Sequence, residues 1–530
     1  MTQLTNPVLD ADWPDPDVIR VGTDYYLVAS SFNRVPGLPV LHSTDLVSWE
    51  LVTNAVRELP PVEDYAVPRH GSGVWAPSLR FHDRTYFIVY PDPDHGIYVL
   101  TAQDPRGEWS LPHRLMAGTG LIDPCPLWDD DGRTYLVHAW AKSRSGVANR
   151  LTVVEVSEDV RDVVGTPRTV VDGDELPGYR ALEGPKFYKR DGWYWIFAPA
   201  GGVATGWQSV FRSRSPYGPY EARIVLEQGG TPVNGPHQGA WVDTPTGEHW
   251  FLHSQDRGVF GRVVHLQPVT WGEDGWPRIG ATRANGRGEP VPTLPVPTTG
   301  VTASGTEGQR EPNRSDDFTG AVLGPQWHWQ ANPRSDWAQL PGDGTLHLAV
   351  AAVDRGNLRE LPRVLSQQLP GRPSEVTTSL RLESDVIGAR AGLLVLGIDY
   401  AWIGLVQRPA GRHLVCRRMA LARAEETLAQ QMLPMASPDA PSGAPGVSVR
   451  AATDVNGLVT FSWSLDDRAT WHDVPDPFQA VPGQWIGAEI GLFAGAPLGV
   501  GGQRSLDAQG SAVFGAVEFV VQPCSGEGSS

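Results

Sequence analysis

The stretch Leu182-Glu183-Gly184-Pro185-Lys186-Phe187-Tyr188-Lys189-Arg190-Asp191-Gly192-Trp193-Tyr194-Trp195-Ile196-Phe197 decides the fold. A carboxylate beside a Gly-Pro pair leads into a short run, a tight-turn signal at Asp191-Gly192, and a strand of aromatic and β-branched residues. The same order recurs along the chain. Asp15, in Trp13-Pro14-Asp15-Pro16-Asp17, precedes Tyr25-Tyr26-Leu27-Val28, and Asp123, in Leu121-Ile122-Asp123-Pro124, precedes Tyr135-Leu136-Val137. Trp75 stands upstream of Tyr86-Phe87-Ile88-Val89-Tyr90, and His237 upstream of Trp250-Phe251-Leu252. Units beginning near residues 14, 74, 122, 182 and 237 are separated by 60, 48, 60 and 55 residues. Intervals of roughly 40–50 residues or more, filled with short strands, mark a β-propeller. A third strand such as Ile97-Tyr98-Val99-Leu100 and a last one such as Trp49-Glu50-Leu51-Val52 bring each unit to four strands. The reading is a five-bladed propeller over residues 1–283, in which acids at equivalent points of the repeat converge on the axis. A Greek-key sandwich with chance turn spacing is the competing fold, and it does not explain why turn, aromatic strand and upstream polar residue recur together.

A chain of 530 residues exceeds one compact core, so a second domain is expected. Gly 59, Pro 47 and Trp 20, with no long Ala/Leu/Glu/Lys stretch, point to an all-β protein. From 284 to 314 the composition turns to Pro, Gly, Thr and Ser, which reads as an extended linker laid over a domain surface, unable to support a ladder. Alternating strands then run from 315 to 523, among them Leu346-His347-Leu348-Ala349-Val350 and Leu458-Val459-Thr460-Phe461-Ser462-Trp463, and predict a β-sandwich. Within it, Arg417 to Met435 reads as a hairpin rather than a helix, and residues 524–530 as a disordered tail. The formal net charge of −17 argues against nucleic acid and anionic membranes as partners and suits a small neutral oligosaccharide. Cys125, Cys416 and Cys524 are too few and scattered for a disulfide framework. With no signal peptide and no apolar run of membrane-spanning length, the expected compartment is cytoplasmic. Oligomeric state is not legible.

Two carboxylates flanking a bond are the equipment for glycoside hydrolysis: one protonates the leaving oxygen, and the other attacks or activates water. A third acid nearby raises the donor's pKa by like-charge repulsion. Asp15, Asp123 and Glu183 make such a set on blades one, three and four. Taken singly, Asp-Pro and Glu-Gly-Pro are ordinary turn formers, so the inference rests on their shared place in the repeat. Phe32 and Trp75 offer ring faces to a sugar, or are ordinary propeller core. There is no His-Glu-x-x-His, Gly-x-x-x-x-Gly-Lys or Gly-x-Ser-x-Gly.

Residues 6 to about 283 resemble glycoside hydrolase family 43. The segments that carry the resemblance are Asn6-Pro7-Val8-Leu9 through Asp17, Pro39-Val40-Leu41-His42-Ser43-Thr44-Asp45-Leu46-Val47-Ser48-Trp49, Gly73-Val74-Trp75-Ala76-Pro77, Leu182-Glu183-Gly184-Pro185 and Gly261-Arg262. Residues 315–523 resemble the concanavalin A-like sandwich appended to one branch of that family. The resemblance implies an exo-acting, inverting hydrolase that releases a terminal pentose, β-D-xylose or α-L-arabinofuranose, from hemicellulose oligosaccharides. It implies Asp15 as general base, Glu183 as general acid and Asp123 as the residue that tunes and orients the acid. Arg262 corresponds to an arginine near the scissile bond, or pairs with one of the acids. His237 corresponds to a histidine that in many members holds a structural Ca2+ in the channel largely through waters, or is hydrogen-bonded there with no metal. No cofactor is required. Blade three departs from the family's usual wording, with Pro124-Cys125-Pro126 after Asp123. A non-catalytic carbohydrate-binding protein and a retaining fructan or sucrose hydrolase are the alternatives. The first needs no set of acids. The second would show Asn-Asp-Pro-Asn and Arg-Asp-Pro where this chain has Pro14-Asp15-Pro16-Asp17 and Ile122-Asp123-Pro124.

Overall fold

The computed structural model describes residues 3–300, 312, 314–420, 425–432, 446–499, 505 and 507–522. Five antiparallel four-strand units follow one another along the chain. They begin with the strands Asp17–Val21, Ser78–His82, Leu121–Trp128, Lys186–Arg190 and His237–Asp243. The first strands of blades one to four neighbour one another in succession, and that of blade five packs on Trp193–Ala200 of blade four and returns to the first strand of blade one, so the ring is closed. The aromatic runs are the second strands, as predicted. Thr85–Asp92 and Trp193–Ala200 are buried along nearly their whole length, which is why both faces are apolar rather than alternating.

The ring is fastened by its first residues. Val8 donates its N–H to the Val264 carbonyl (2.8 Å), and Asn6 pairs by its side chain with both the N–H and the carbonyl of Leu266 (2.8 Å each). The proline-rich segment lies on the propeller as expected, but it does form short ladders. Gly288–Glu289 pairs with Ala281–Thr282 and touches blade four at Leu226, and Thr293–Pro295 pairs with Gln3–Thr5. Proline is tolerated in Thr293–Pro295 because that ladder is two-stranded and has only edges, while Gly288–Glu289, paired on both sides, contains none.

The second domain is a sandwich of two large antiparallel sheets. One contains Val364–Gln368, Glu489–Pro497, Arg390–Leu396, Tyr400–Arg408 and Gly411–Met419, and the other contains Ser374–Glu383, Val447–Thr453 and Leu458–Ser464. Their facing sides bury Leu393, Ile403, Leu492, Val449 and Phe461. Gly411–Met419 pairs with Glu426–Met432, so the described part of 417–435 is a hairpin. Residues 524–530 lie outside the described residues.

The two domains share structure. Val35 and Trp329 exchange both backbone hydrogen bonds (3.0 and 2.6 Å), and Phe260 of the propeller is buried within the sandwich's own apolar core. Among the described residues no helix is long and apolar enough to cross a membrane.

Candidate active site

Four of the five blades turn into their first strand through a residue of unusual backbone, and in blade two Ala76 holds the equivalent place before Pro77 without it. Asp15, Asp123 and Gln238 have φ of 57°, 55° and 46°, in the left-handed region that L-residues seldom enter. In blade four that position is Gly184, with φ of 61°. Aligned on this turn, Asp15 and Asp123 are equivalent to Gly184, and Glu183 stands one residue earlier, in the place of Trp75 and His237. The sequence reading of three acids at one repeat position therefore needs correction: two share a position and the third is offset by one. The offset has a physical consequence. Side chains of adjacent residues leave the chain in different directions, so Glu183 approaches the axis differently from Asp15 and Asp123.

All the predicted residues come together. Asp15, Phe32, Trp75, Asp123, Glu183, His237 and Arg262 line one pocket of about 470 Å³, with Ala76, Ile122, Val203, Gln238 and Trp485. Asp15 is fixed at both oxygens, by Ser30 Oγ on Oδ2 and by Arg262 Nη1 on Oδ1, each at 2.5 Å. Arg262 thus pairs with an acid, and it also lines the pocket. Asp123 Oδ2 accepts the Gly184 N–H at 2.7 Å, which ties it to the turn that carries Glu183. Burial first, and then the charge of Glu183, push the Asp123 carboxyl up to about 8.

His237 Nε2 lies 3.1 Å from Glu183 Oε1, in an orientation that is not that of a hydrogen bond, and both its ring nitrogens are buried without such a partner. Gln238 Oε1 is buried in the same state. Calcium takes six to eight oxygen ligands. Here the channel supplies one imidazole and one amide oxygen, and among the described residues no three His, Cys, Asp or Glu are gathered to hold a metal ion. These side chains alone do not make a calcium site.

The aromatic walls are braced. Phe32 and Val74 exchange backbone hydrogen bonds (2.8 and 3.0 Å), which brings the Phe32 and Trp75 rings to 6.0 Å. Trp75 donates its indole N–H to the Gly71 carbonyl at 3.1 Å, and the Arg144 guanidinium sits 5.7 Å from its ring. The second aspartate of the opening motif, Asp17, has a different task. Its Oδ2 accepts from Leu79 N and Arg80 Nη1, both at 2.8 Å, and so joins blade one to blade two.

Two contributors escaped the sequence reading. Ser30 carries no motif of its own. Trp485 comes from the sandwich, 51% exposed, with its ring 6.2 Å from that of Trp75 and its carbonyl accepting Arg262 Nη2 at 2.8 Å. A tryptophan more than 200 residues beyond the last blade gives no local sign that it faces the propeller axis.

Clustered acids at the mouth of a five-bladed channel, walled by aromatic rings, define a glycoside-cleaving propeller enzyme. The model for Glycosyl hydrolases family 43 matches residues 4–277, and that for the Beta xylosidase C-terminal Concanavalin A-like domain matches residues 315–507. The chain belongs to glycoside hydrolase family 43. It is 41% identical, over 74% of its length and 71% of the other's, to a Xylanibacter ruminicola protein assigned as a beta-xylosidase. It is 32% identical, over 66% of its length and 65% of the other's, to a non-reducing end alpha-L-arabinofuranosidase of Bacteroides ovatus. The fold matches the crystal structure of a xylan beta-1,4-xylosidase from Bacillus halodurans C-125 with a TM-score of 0.82 at 24% identity, covering 97% of this chain and 99% of that one.

Proposed function

We propose that the chain is an exo-acting, inverting glycosidase that removes a terminal pentose, β-D-xylose or α-L-arabinofuranose, from short hemicellulose oligosaccharides. The observation that carries this reading is the single pocket in which Asp15, Asp123 and Glu183 meet, closed on one side by Trp485. A pocket walled in this way accepts a chain end rather than the middle of a polymer. Phe32 and Trp75 take the apolar face of the sugar, and Arg262 holds its hydroxyls beside the base. Asp15 removes a proton from water as the oxygen attacks the anomeric carbon. Glu183 gives a proton to the departing glycosidic oxygen, and the bond to that oxygen breaks with inversion. Asp123 holds the acid's turn through the Gly184 N–H. His237, against the Glu183 carboxylate, orients it. The relatives' names support a pentose, and a cytoplasmic site of action suits short imported substrates.

Nitrophenyl β-D-xyloside and α-L-arabinofuranoside assayed side by side test this reading. Hydrolysis of at least one is expected, with the first-formed sugar of inverted anomeric configuration by proton NMR. No hydrolysis of either would overturn the activity, and a retained configuration would overturn the roles given to Asp15 and Glu183.

A further inference from the structure

Arg262 is held from two directions by one short segment of the sandwich. Its guanidinium donates Nη2–H to the carbonyl of Trp485 (2.8 Å) and Nη1–H to Asp15 (2.5 Å). Its backbone N–H donates to Asp12 Oδ1 (3.0 Å), and the other Asp12 oxygen accepts Arg34 Nη2 (3.0 Å). Arg34 Nε donates in turn to Glu489, four residues beyond Trp485. The contacts form a closed circuit through both domains: Asp15, Arg262, Asp12, Arg34, Glu489, and back along the chain to Trp485.

Every charge between Arg262 and the sandwich is out of water, since Asp12, Arg34 and Glu489 are 1%, 3% and 1% exposed. Glu489 is further fixed by His328 Nε2 (2.9 Å), Gln330 Nε2 (2.5 Å) and Ser366 Oγ (3.2 Å). Burial works against its charge, but Arg34 and His328 outweigh burial and hold the carboxyl far below its ordinary range. Joining two domains does not need this. A buried ion pair is often no more stabilising than apolar residues of the same volume, because desolvation offsets the attraction. What apolar side chains cannot do is fix a backbone N–H in place. Here the Asp12 carboxylate also lies against Gly261, where a Cβ would come within 2.1 Å of its Oδ1, so the approach to Arg262 is built around that carboxylate.

We propose that Glu489, acting through Arg34 and Asp12, is a positioning residue that sets where Arg262, and with it Asp15, stands in the pocket. The inference rests on the glycosidase reading above. It makes the sandwich a part of the catalytic arrangement at two points, the Trp485 carbonyl and the Glu489 carboxylate.

Two full-length variants test it on an aryl pentoside, at a temperature well below the melting point of each. Glu489→Gln keeps the shape and removes the charge. It is expected to lose roughly ten- to a hundred-fold in kcat/KM, the size of effect that small misplacement of reacting groups produces. The loss should include kcat and not appear in KM alone, because Arg262 and Asp15 are displaced where they act on the reacting atoms. The triple variant Asp12→Asn/Arg34→Met/Glu489→Gln leaves no orphaned charge, and it should regain melting temperature without regaining kcat/KM. A folded Glu489→Gln with wild-type kcat and kcat/KM would overturn the proposal. If that variant does not fold, the triple variant showing wild-type values would do the same. Absence of hydrolysis by the wild-type chain would instead overturn the glycosidase reading, and the positioning role with it.

Discussion

Glu183 and Asp123 stand together in one pocket but in different surroundings. The Glu183 side chain is 27% exposed and Asp123 only 2%, so Glu183 faces the space where a leaving group departs while Asp123 lies beneath it. Glu183→Ala should therefore lower kcat by roughly 10²–10⁴ on unactivated oligosaccharides. The loss should be far smaller on aryl glycosides whose leaving groups need no proton, and equal losses on both would rule Glu183 out as the acid. Asp123 carries a stability cost that can be measured separately. Its carboxyl is raised from 3.8 to about 8, so between those values the folded protein keeps a proton that the unfolded chain releases. Its favourable contribution is complete below about pH 4 and is lost as pH rises through about 8. Asp123→Asn keeps an oxygen for the Gly184 N–H and removes the titration. Its melting temperature relative to wild type should thus be higher at about pH 8 than at about pH 4, while activity falls. A difference that does not change with pH would show that Asp123 is not the group that titrates.

At the scale of the element, the turn into each first strand decides what reaches the axis. Gly184 is the position where this is most constrained: φ is 61°, and a Cβ there would come within 2.2 Å of Gln238 Oε1. Gly184→Ala should cost about 1–2 kcal/mol for the left-handed backbone alone. It should also displace Glu183, so that activity falls by more than the loss of folded protein measured by denaturant titration. The propeller itself was legible from the sequence because its signals are local. Asp191-Gly192 and the aromatic run after it sit within a dozen residues, and the period repeats them. The one-residue offset of Glu183 was not legible, since it depends on which residue takes the left-handed conformation. Asp-Pro and Gly-Pro both fit that turn. The weak ladders of the proline-rich segment are hidden for a related reason: proline leaves an edge strand such as Thr293–Pro295 open, and a two-residue pairing such as Gly288–Glu289 fits between prolines. Ring closure is testable at Asn6, whose side chain bonds to Leu266 and to the Val291 carbonyl (2.9 Å). Asn6→Ala removes all three of these bonds and should lower stability by about 1–3 kcal/mol, read as a shift in the denaturant midpoint.

Across the whole molecule, the pocket belongs to neither domain alone. Propeller turns supply the acids and the sandwich supplies Trp485, a division that a single sequence cannot reveal because no local pattern says which surfaces will meet. The interface is more than a contact between finished domains. Val35 and Trp329 share backbone hydrogen bonds, Asn332 bonds by its side chain to the N–H (2.8 Å) and the carbonyl (2.9 Å) of Leu59, and Phe260 fills the sandwich core. Parting the domains would expose Phe260 and strand the buried charges of Arg34 and Glu489, each a destabilising change in its own right. Independent domains with a polar interface unfold in separate steps, whereas domains that share a core and a buried ion network lose both at once. Scanning calorimetry of the full chain at neutral pH should therefore show one transition, with propeller and sandwich melting together. Glu489→Gln should lower that transition as a whole and leave it single. Two resolved transitions in the wild-type chain would mean that the shared core does not couple the domains, and that the sandwich only rests against the site.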